Sequence, residues 1–198
     1  DYKTYKADAP LDFVPERVDI GVDIGYEDYN AIIALAYNNE KARVIEERKF
    51  NRAGITEIIK QINEVYSNSK KFLIEHNKNA SISDVNIYCD MNNKELVYEL
   101  YSVQKLPCFC CYKYNKALAI SQMAEFCRTS KIVIPEDGIL ADECDRTLYK
   151  RDEEDNILSE IDDDLFHPDA LMALLYACRQ MWHNIGAPLG GESSEDWS

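Results

Sequence analysis

The sequence predicts one α/β domain whose mixed sheet is flanked by helices, with three antiparallel strands first and parallel strands after them. Three observations lead to this fold class. Residues 18–25 (VDIGVDIG) alternate between apolar and acidic or glycine positions, as a β-strand does. Two further apolar runs follow after short turns, which favours an antiparallel meander. Helical and strand-like patterns then alternate, which favours parallel strands joined by crossover helices.

The individual elements follow from hydrophobic spacing and turn residues. Strands are predicted at 18–25, 30–39, 42–50, 84–90, 107–114 and 131–136. Helices are predicted at 53–68, 93–103, 117–129 and 167–182, where apolar residues recur at helical spacing. Residues 147–161 (TLYKRDEEDNILSEI) predict a hairpin with an acidic turn.

Length and composition indicate one domain with flexible ends. The chain has 198 residues, 46% of them hydrophobic, which suffices for one core. Residues 1–17 are polar, contain two prolines and are expected to be a linker or arm. Residues 18–185 form the predicted domain, and the Gly- and Ser-rich residues 186–198 a flexible tail. Because the first residue is not Met, we expect the chain to be part of a longer protein.

Neither a signal peptide nor a membrane-spanning run is visible in the sequence, since no apolar stretch approaches the roughly 18 residues required. The seven cysteines have no paired spacing, which fits a reducing compartment. Residues 108–111 (CFCC) are interpreted as a buried strand with free thiols; a zinc site is the alternative, without a nearby second cysteine pair to support it.

The charge is strongly acidic, with 36 acidic against 22 basic residues and a net charge of −14. Proteins that bind nucleic acid alone usually present a basic surface. Residues 142–164 contain eleven acidic and three basic residues, a net charge of −8. This segment is either a solvated acidic hairpin or a group of charges that repels DNA until metal ions or a partner domain supply positive charge.

Three aspartates are candidates for chemistry, and each has an ordinary structural alternative. Asp23 lies in an apolar strand, where a carboxylate is costly unless it is paired or bound to metal; the alternative is a solvent-facing position. Asp90 ends a strand, where side chains often line a crevice; the alternative is a helix N-cap. Asp169 follows Pro168 in the first turn of a helix, whose dipole favours a negative charge with or without a metal.

Taken together, the three carboxylates form a ligand set suited to hard cations. Oxygen ligands suit Mg²⁺ or Mn²⁺. Two such ions about 3.5–4 Å apart can activate a water molecule and stabilise the leaving oxygen of a phosphodiester. Whether the three side chains meet in space depends on the fold.

Several motifs resemble the nuclease domain of the large terminase subunit of tailed bacteriophages, which has a ribonuclease-H-like fold. The resembling segments are GVDIGYEDYNAIIALAY, NIYCD and TLYKRDEEDNILSEIDDDLFHPDALMALLYA, within residues 18–182. The resemblance implies that Asp23, Asp90 and Asp169 bind metal, with Asp23 bridging two divalent cations. It also implies Asp28 as an accessory acid and His167 as a further ligand. His167 stands two residues before Asp169, whereas many relatives have three.

The resemblance implies a metal-dependent endonuclease that cuts double-stranded DNA during viral genome packaging, by a two-metal-ion hydrolysis with Mg²⁺ or Mn²⁺. Because no GxxxxGK[ST] motif is present, the ATPase domain would lie elsewhere in the same polypeptide. A portal protein and a small terminase subunit are the other implied partners. The implied location is the cytoplasm of the infected bacterial host, without a membrane partner.

Three other functions compete with this interpretation. A Holliday-junction-resolvase-like nuclease of the same fold would prefer branched DNA. An actin-like ATPase can also open with GVDIG, but needs roughly twice this length and a second phosphate loop. A non-catalytic docking module would retain the fold without the chemistry, and the acidic composition favours it.

Overall fold

The computed structural model describes residues 2–25, 29–51, 53–90, 93–111, 116–151, 154, 157–162, 166–179 and 181. The predicted tail, residues 186–198, and most of the acidic hairpin turn lie outside this part of the chain. None of the helices in the described ranges combines the length and the apolar character that crossing a bilayer requires.

The described residues form nine strands and five α-helices. The strands are β1 (Lys3–Tyr5), β2 (Arg17–Ile24), β3 (Asn30–Tyr37), β4 (Ala42–Phe50), β5 (Val85–Asp90), β6 (Cys108–Cys111), β7 (Ile132–Pro135), β8 (Tyr149–Arg151) and β9 (Ile157–Ile161). The helices are α1 (Ile55–His76), α2 (Lys94–Tyr98), α3 (Lys116–Arg128), α4 (Ile139–Arg146) and α5 (Asp169–Ala177). A 3-10 turn (Ile82–Asp84) precedes β5, and a π-helical turn (Glu99–Val103) continues α2.

Seven strands form one mixed sheet in the order β1-β7-β4-β3-β2-β5-β6. Strand β3 pairs antiparallel with β2 and β4, whereas the other pairs of this sheet are parallel. Strands β8 and β9 form the separate antiparallel hairpin. The predicted class, an antiparallel meander followed by parallel strands, is confirmed.

The segment expected to be an arm packs against this sheet. Within residues 1–17, Lys3–Tyr5 pair with β7 as an edge strand. The guanidinium of Arg43 on β4 donates to the carbonyl oxygens of Ala9 and Pro10 at 2.9 and 3.0 Å. The same guanidinium lies 3.5 Å from the ring centroid of Tyr5.

Two apolar cores lie on opposite faces of the sheet because successive side chains of a strand point to opposite sides. On β2, Val18, Ile20 and Val22 face α1 and are buried with its apolar side. The other face of the sheet packs against α3, α4 and α5. Helix α5 is buried along its whole length, which explains why it is apolar all round rather than amphipathic. Asp19, Gly21 and Asp23 alternate with the valines and isoleucine and therefore face α5.

Helix α4 was not predicted from the sequence. It is short and its sequence, ILADECDR, is rich in charge, so its spacing alone indicates little. The Glu47 carboxylate on β4 accepts hydrogen bonds from the backbone N–H groups of Ile139 and Leu140, at 2.6 and 3.4 Å. These bonds satisfy donors that a helix start leaves unpaired. A residue distant in sequence therefore stabilises this helix.

Asp19 should make the stability of the domain depend on pH. It is fully buried, and its Oδ2 accepts a hydrogen bond from the Tyr37 hydroxyl at 2.7 Å. Burial raises the pKa of the Asp19 carboxyl from 3.8 to about 7, against smaller lowering by hydrogen bonds with Tyr37 and Asn86. Between pH 3.8 and about pH 7, Asp19 holds a proton in the folded chain that it has released in the unfolded chain. The free energy of unfolding should therefore fall as pH rises, by about 1.4 kcal/mol per pH unit.

An Asp19→Asn variant should escape this loss because its amide does not ionise. Relative to wild type, its free energy of unfolding should rise by about 3 kcal/mol between pH 4 and pH 7. Urea titrations across this range measure the difference. Asp12→Asn is the control, since the exposed Asp12 pairs with Lys41 and its pKa is lowered rather than raised. A difference between Asp19→Asn and wild type that does not change with pH would contradict the assignment.

Candidate metal centre

Asp23 and Asp90 occupy matching places at the carboxyl ends of two neighbouring parallel strands. The register pairs Val22 with Cys89, so the next residue on each strand is one of the two aspartates. Both are buried, Asp23 at 9% exposure and Asp90 at 6%. Burial raises the pKa of the Tyr176 hydroxyl on α5, and the charges of Asp23 and Asp90 raise it further. The two carboxylates therefore share one side of the sheet, beside α5.

Asp169 is the first residue of α5 and is only 2% exposed. Pro168 precedes it, and the Pro168 carbonyl oxygen accepts the helical hydrogen bond of Met172 at 3.0 Å. Proline is favoured where a helix begins because its missing N–H is not needed there. The predicted position of Asp169, in the first turn of a helix, is confirmed.

His167 reaches this carboxylate despite its unusual spacing. Its Nδ1 lies 2.9 Å from Asp169 Oδ1, and its side chain is about half exposed. Burial alone would raise the pKa of the Asp169 carboxyl, but hydrogen bonds from His167 and Lys49, together with their charges, lower it below its usual range. Asp169 is therefore held in its ionised form.

Asp23, His167 and Asp169 form a group that can hold a metal ion, with one ligand atom from each lying within 4.8 Å of the others. Bonds from Mg²⁺ to oxygen are roughly 2.0–2.1 Å, so two ligand atoms of one ion lie at most about 4.2 Å apart, close to the 4.8 Å limit within which this group lies. Asp90 is not part of this tight group. Asp28, the predicted accessory acid, lies outside the described residues.

Lys49 and Glu143 belong to the same site but were missed in the sequence. Lys49 Nζ lies 2.8 Å from Asp169 Oδ2 and 2.6 Å from Glu143 Oε1. Glu143, on α4, is 1% exposed. Burial lowers the pKa of the Lys49 ammonium, but the hydrogen bonds and charges of Asp169 and Glu143 outweigh burial and raise it. In the structure the strand register aligns Lys49 with Ala31 and Asp23 across β4, β3 and β2. The short turns predicted between these strands were the sequence signal that could have placed Lys49 near Asp23.

No protein-family model matches the sequence, and no curated protein matches it. Solved structures do match. The nuclease domain of the large terminase from bacteriophage SPP1, with bound Mn, is similar over 90% of this chain and 95% of that domain, at 15% identity and a TM-score of 0.65. The large terminase nuclease from the thermophilic phage G20c is similar over 90% and 86%, at 19% identity and a TM-score of 0.59.

The chain has the fold of a large terminase nuclease domain. The fold that the sequence motifs implied is therefore confirmed over most of the chain. A large terminase from another thermophilic bacteriophage, in complex with ADP, is also similar, at 12% identity and a TM-score of 0.63. The match spans 90% of this chain but only 42% of that larger protein. At these identities the likeness is one of fold.

Within the terminase nuclease fold, the carboxyl end of β2 and the start of α5 bring Asp23, His167 and Asp169 together. Asp90 lies at the carboxyl end of the neighbouring strand β5. This donor set of carboxylate oxygens with one imidazole suits Mn²⁺ and, through its oxygens, Mg²⁺.

Proposed function

We propose that this chain is a metal-dependent endonuclease that cuts double-stranded DNA during viral genome packaging. The observation that carries the proposal is the group of Asp23, His167 and Asp169, within 4.8 Å of one another, in the fold of terminase nucleases. Two of the similar structures contain bound Mn or cobalt. This supports a divalent-cation site in the same fold.

We assign the ligands by position. Asp23 lies near Asp169 and follows the residue that pairs with the neighbour of Asp90, so it would contact both of two divalent cations, Mg²⁺ or Mn²⁺. Asp169, with His167, would hold one, and Asp90 the other, while Asp28 is proposed as an accessory acid. Two bound cations supply the charge that activates water and stabilises the leaving oxygen of a phosphodiester. The buried, ionised Asp169 contributes negative charge where cations must be held.

The partners follow from charge and from the longer similar proteins. With a net charge of −14, the chain needs positive charge from elsewhere to approach DNA. An ATPase domain of the same polypeptide would supply it, as the larger terminase in complex with ADP suggests. A portal protein and a small terminase subunit complete the proposed assembly, in the cytoplasm of the infected bacterium. Residues 1–17, which include the edge strand β1, are the proposed arm on the side of the ATPase domain.

A non-catalytic docking module is the second candidate, and one observation favours it. The Lys49 ammonium already pairs with the carboxylate of Asp169, so a protein cation stands beside a proposed metal ligand. Such an ion pair would stabilise a domain of this fold that no longer binds metal at Asp169. Cleavage by the purified chain separates the two candidates.

The test uses supercoiled plasmid incubated with the purified chain and Mn²⁺, Mg²⁺ or EDTA. We expect nicked and linear DNA with Mn²⁺ or Mg²⁺ and none with EDTA, because the carboxylates cannot activate water alone. Cleavage that persists in EDTA would contradict the metal-dependent mechanism, and intact plasmid with every metal would favour the docking module. A four-way junction tested beside linear duplex distinguishes a resolvase, which would cut the junction preferentially.

A further inference from the structure

Lys49 is a cation enclosed by two carboxylates. Its Nζ lies 2.6 Å from Glu143 Oε1 and 2.8 Å from Asp169 Oδ2. The side chains are 16% exposed for Lys49, 2% for Glu143 and 3% for Asp169. An exposed lysine would lose little by moving away, whereas this one is largely buried with its charge paired to both carboxylates.

Glu143 is itself held in place from two directions. Its Oε2 accepts a hydrogen bond at 3.0 Å from the backbone N–H of Leu171, in the first turn of α5. Its helix, α4, begins at backbone N–H groups that the Glu47 carboxylate binds. The rings of Tyr29 and Phe166 flank the Lys49 ammonium, with centroids at 4.8 and 5.7 Å. Lys49 therefore has a fixed position beside the proposed metal ligands.

Both oxygens of Asp169 have partners before any metal arrives. Oδ1 is 2.9 Å from His167 Nδ1, and Oδ2 is 2.8 Å from Lys49 Nζ. A divalent cation that binds Asp169 must share the carboxylate with the ammonium or displace it. In either case it experiences the repulsion of a like charge in a poorly hydrated site.

We propose that Lys49 is a resident cation that competes with divalent metal for Asp169 and so sets the metal concentration at which the site fills. The inference rests on the proposed function, since it concerns the same metal site. In the metal-free chain Lys49 pairs with both Asp169 and Glu143 and offsets one of their two negative charges. Glu143 is the positioning residue that keeps the ammonium there.

The test measures Mn²⁺ binding to the metal-free chain by electron paramagnetic resonance of free Mn²⁺, beside thermal unfolding in EDTA. Lys49→Met should bind Mn²⁺ on the order of tenfold more tightly, within the range that partners of metal ligands control. It should also unfold at a lower temperature in EDTA, because Glu143 and Asp169 lose their counter-charge. If Lys49 had only a structural role, its removal would lower both the Mn²⁺ affinity and the unfolding temperature. A higher Mn²⁺ affinity together with a lower unfolding temperature therefore identifies competition.

Two further variants keep the test decisive. The double variant Lys49→Met/Glu143→Gln also removes the buried charge of Glu143, which Lys49→Met alone leaves without its ammonium partner. It should remain folded and still bind Mn²⁺ more tightly than wild type. Lys60→Met, at an exposed site on α1, controls for the change in net charge and should bind Mn²⁺ as wild type does. Equal or weaker Mn²⁺ binding by the folded Lys49 variants, with wild-type binding intact, would overturn this inference alone. No Mn²⁺ binding by wild type or any variant would overturn the proposed metal site as well.

Discussion

The Asp23→Asn variant should lose metal-dependent DNA cleavage almost completely while keeping its fold. Asp23 is the carboxylate proposed to contact both cations, and an amide lacks the charge that holds them. Removing even a supporting partner of a metal ligand costs roughly 10–100-fold. We therefore expect a loss of more than about 100-fold for Asp23 itself. The amide has the same shape as the carboxylate, so packing against α5 should be unchanged.

The measurement is the rate of plasmid nicking in Mn²⁺, with thermal unfolding in EDTA as the check on folding. Asp142→Asn is the matched control, because it removes one acidic charge from the same acidic domain. Asp142 is exposed and pairs with Arg146 along α4, at 3.2 Å. We expect this control to cut at the wild-type rate. A folded Asp23→Asn chain that nicks plasmid as fast as the control would remove Asp23 from the site.

The Gly21→Ala substitution should be strongly destabilising, because it adds a methyl group where β2 packs closely against α5. A Cβ at Gly21 would overlap the carbonyl oxygen of Ala173 and lie only 2.7 Å from the backbone nitrogen of Ala177. Both atoms belong to the backbone of α5, which is buried along its length and cannot rotate away as a side chain can. Overpacking costs typically about 1–3 kcal/mol and occasionally more. We expect at least about 3 kcal/mol, a large part of a typical domain's stability.

Urea unfolding at constant pH measures this loss, with Gly54→Ala as control. A Cβ at Gly54, before α1, meets nothing within 4 Å, and the backbone φ of −65° accommodates alanine. Because Gly54 is the N-cap of α1, where alanine is disfavoured, the control should lose no more than about 1 kcal/mol, well below the loss at Gly21. Because α5 carries Asp169, any folded Gly21→Ala chain should also cut DNA more slowly. A Gly21→Ala chain as stable as the control would contradict the close packing of β2 against α5.

Hydrophobic spacing predicted six of the seven strands of the sheet and its longest helix, whereas the edge strand β1 lies in the segment expected to be an arm. Alternation identified β2, and the recurring apolar residues identified α1, although that helix continues to His76, beyond the predicted end. The strand prediction for residues 107–114 is confirmed for Cys108–Cys111, while residues 112–115 lie outside the described part. These elements depend on local patterns, which is why the sequence alone was sufficient.

The parts that could not be predicted depend on contacts between distant residues. The first backbone N–H group of α4 donates to the Glu47 carboxylate on β4, and Glu143 contacts both Lys49 and the start of α5. In the sequence, Lys49 is one charged residue in a polar strand end and Glu143 one acid in a charged run. Only the fold brings them together beside Asp169.

The structure brings the predicted site residues together to different degrees. The residue patterns left each aspartate with an ordinary alternative, and the motif resemblance selected Asp23, Asp90 and Asp169. Asp23 and Asp169 are close together, and His167, whose spacing signal was weak, makes a clear contact with Asp169 at 2.9 Å. Asp90 lies at the neighbouring strand end, so its role as the ligand of a second cation remains a prediction.

The most direct test of the central claim is a crystal of this chain grown with Mn²⁺, with anomalous scattering measured at the manganese edge. We predict two anomalous peaks in contact with Asp23, one also bound by Asp169 and the other by Asp90. Peaks at these positions would locate the cations independently of any cleavage assay. A well-ordered crystal without an anomalous peak at Asp23 would contradict the account.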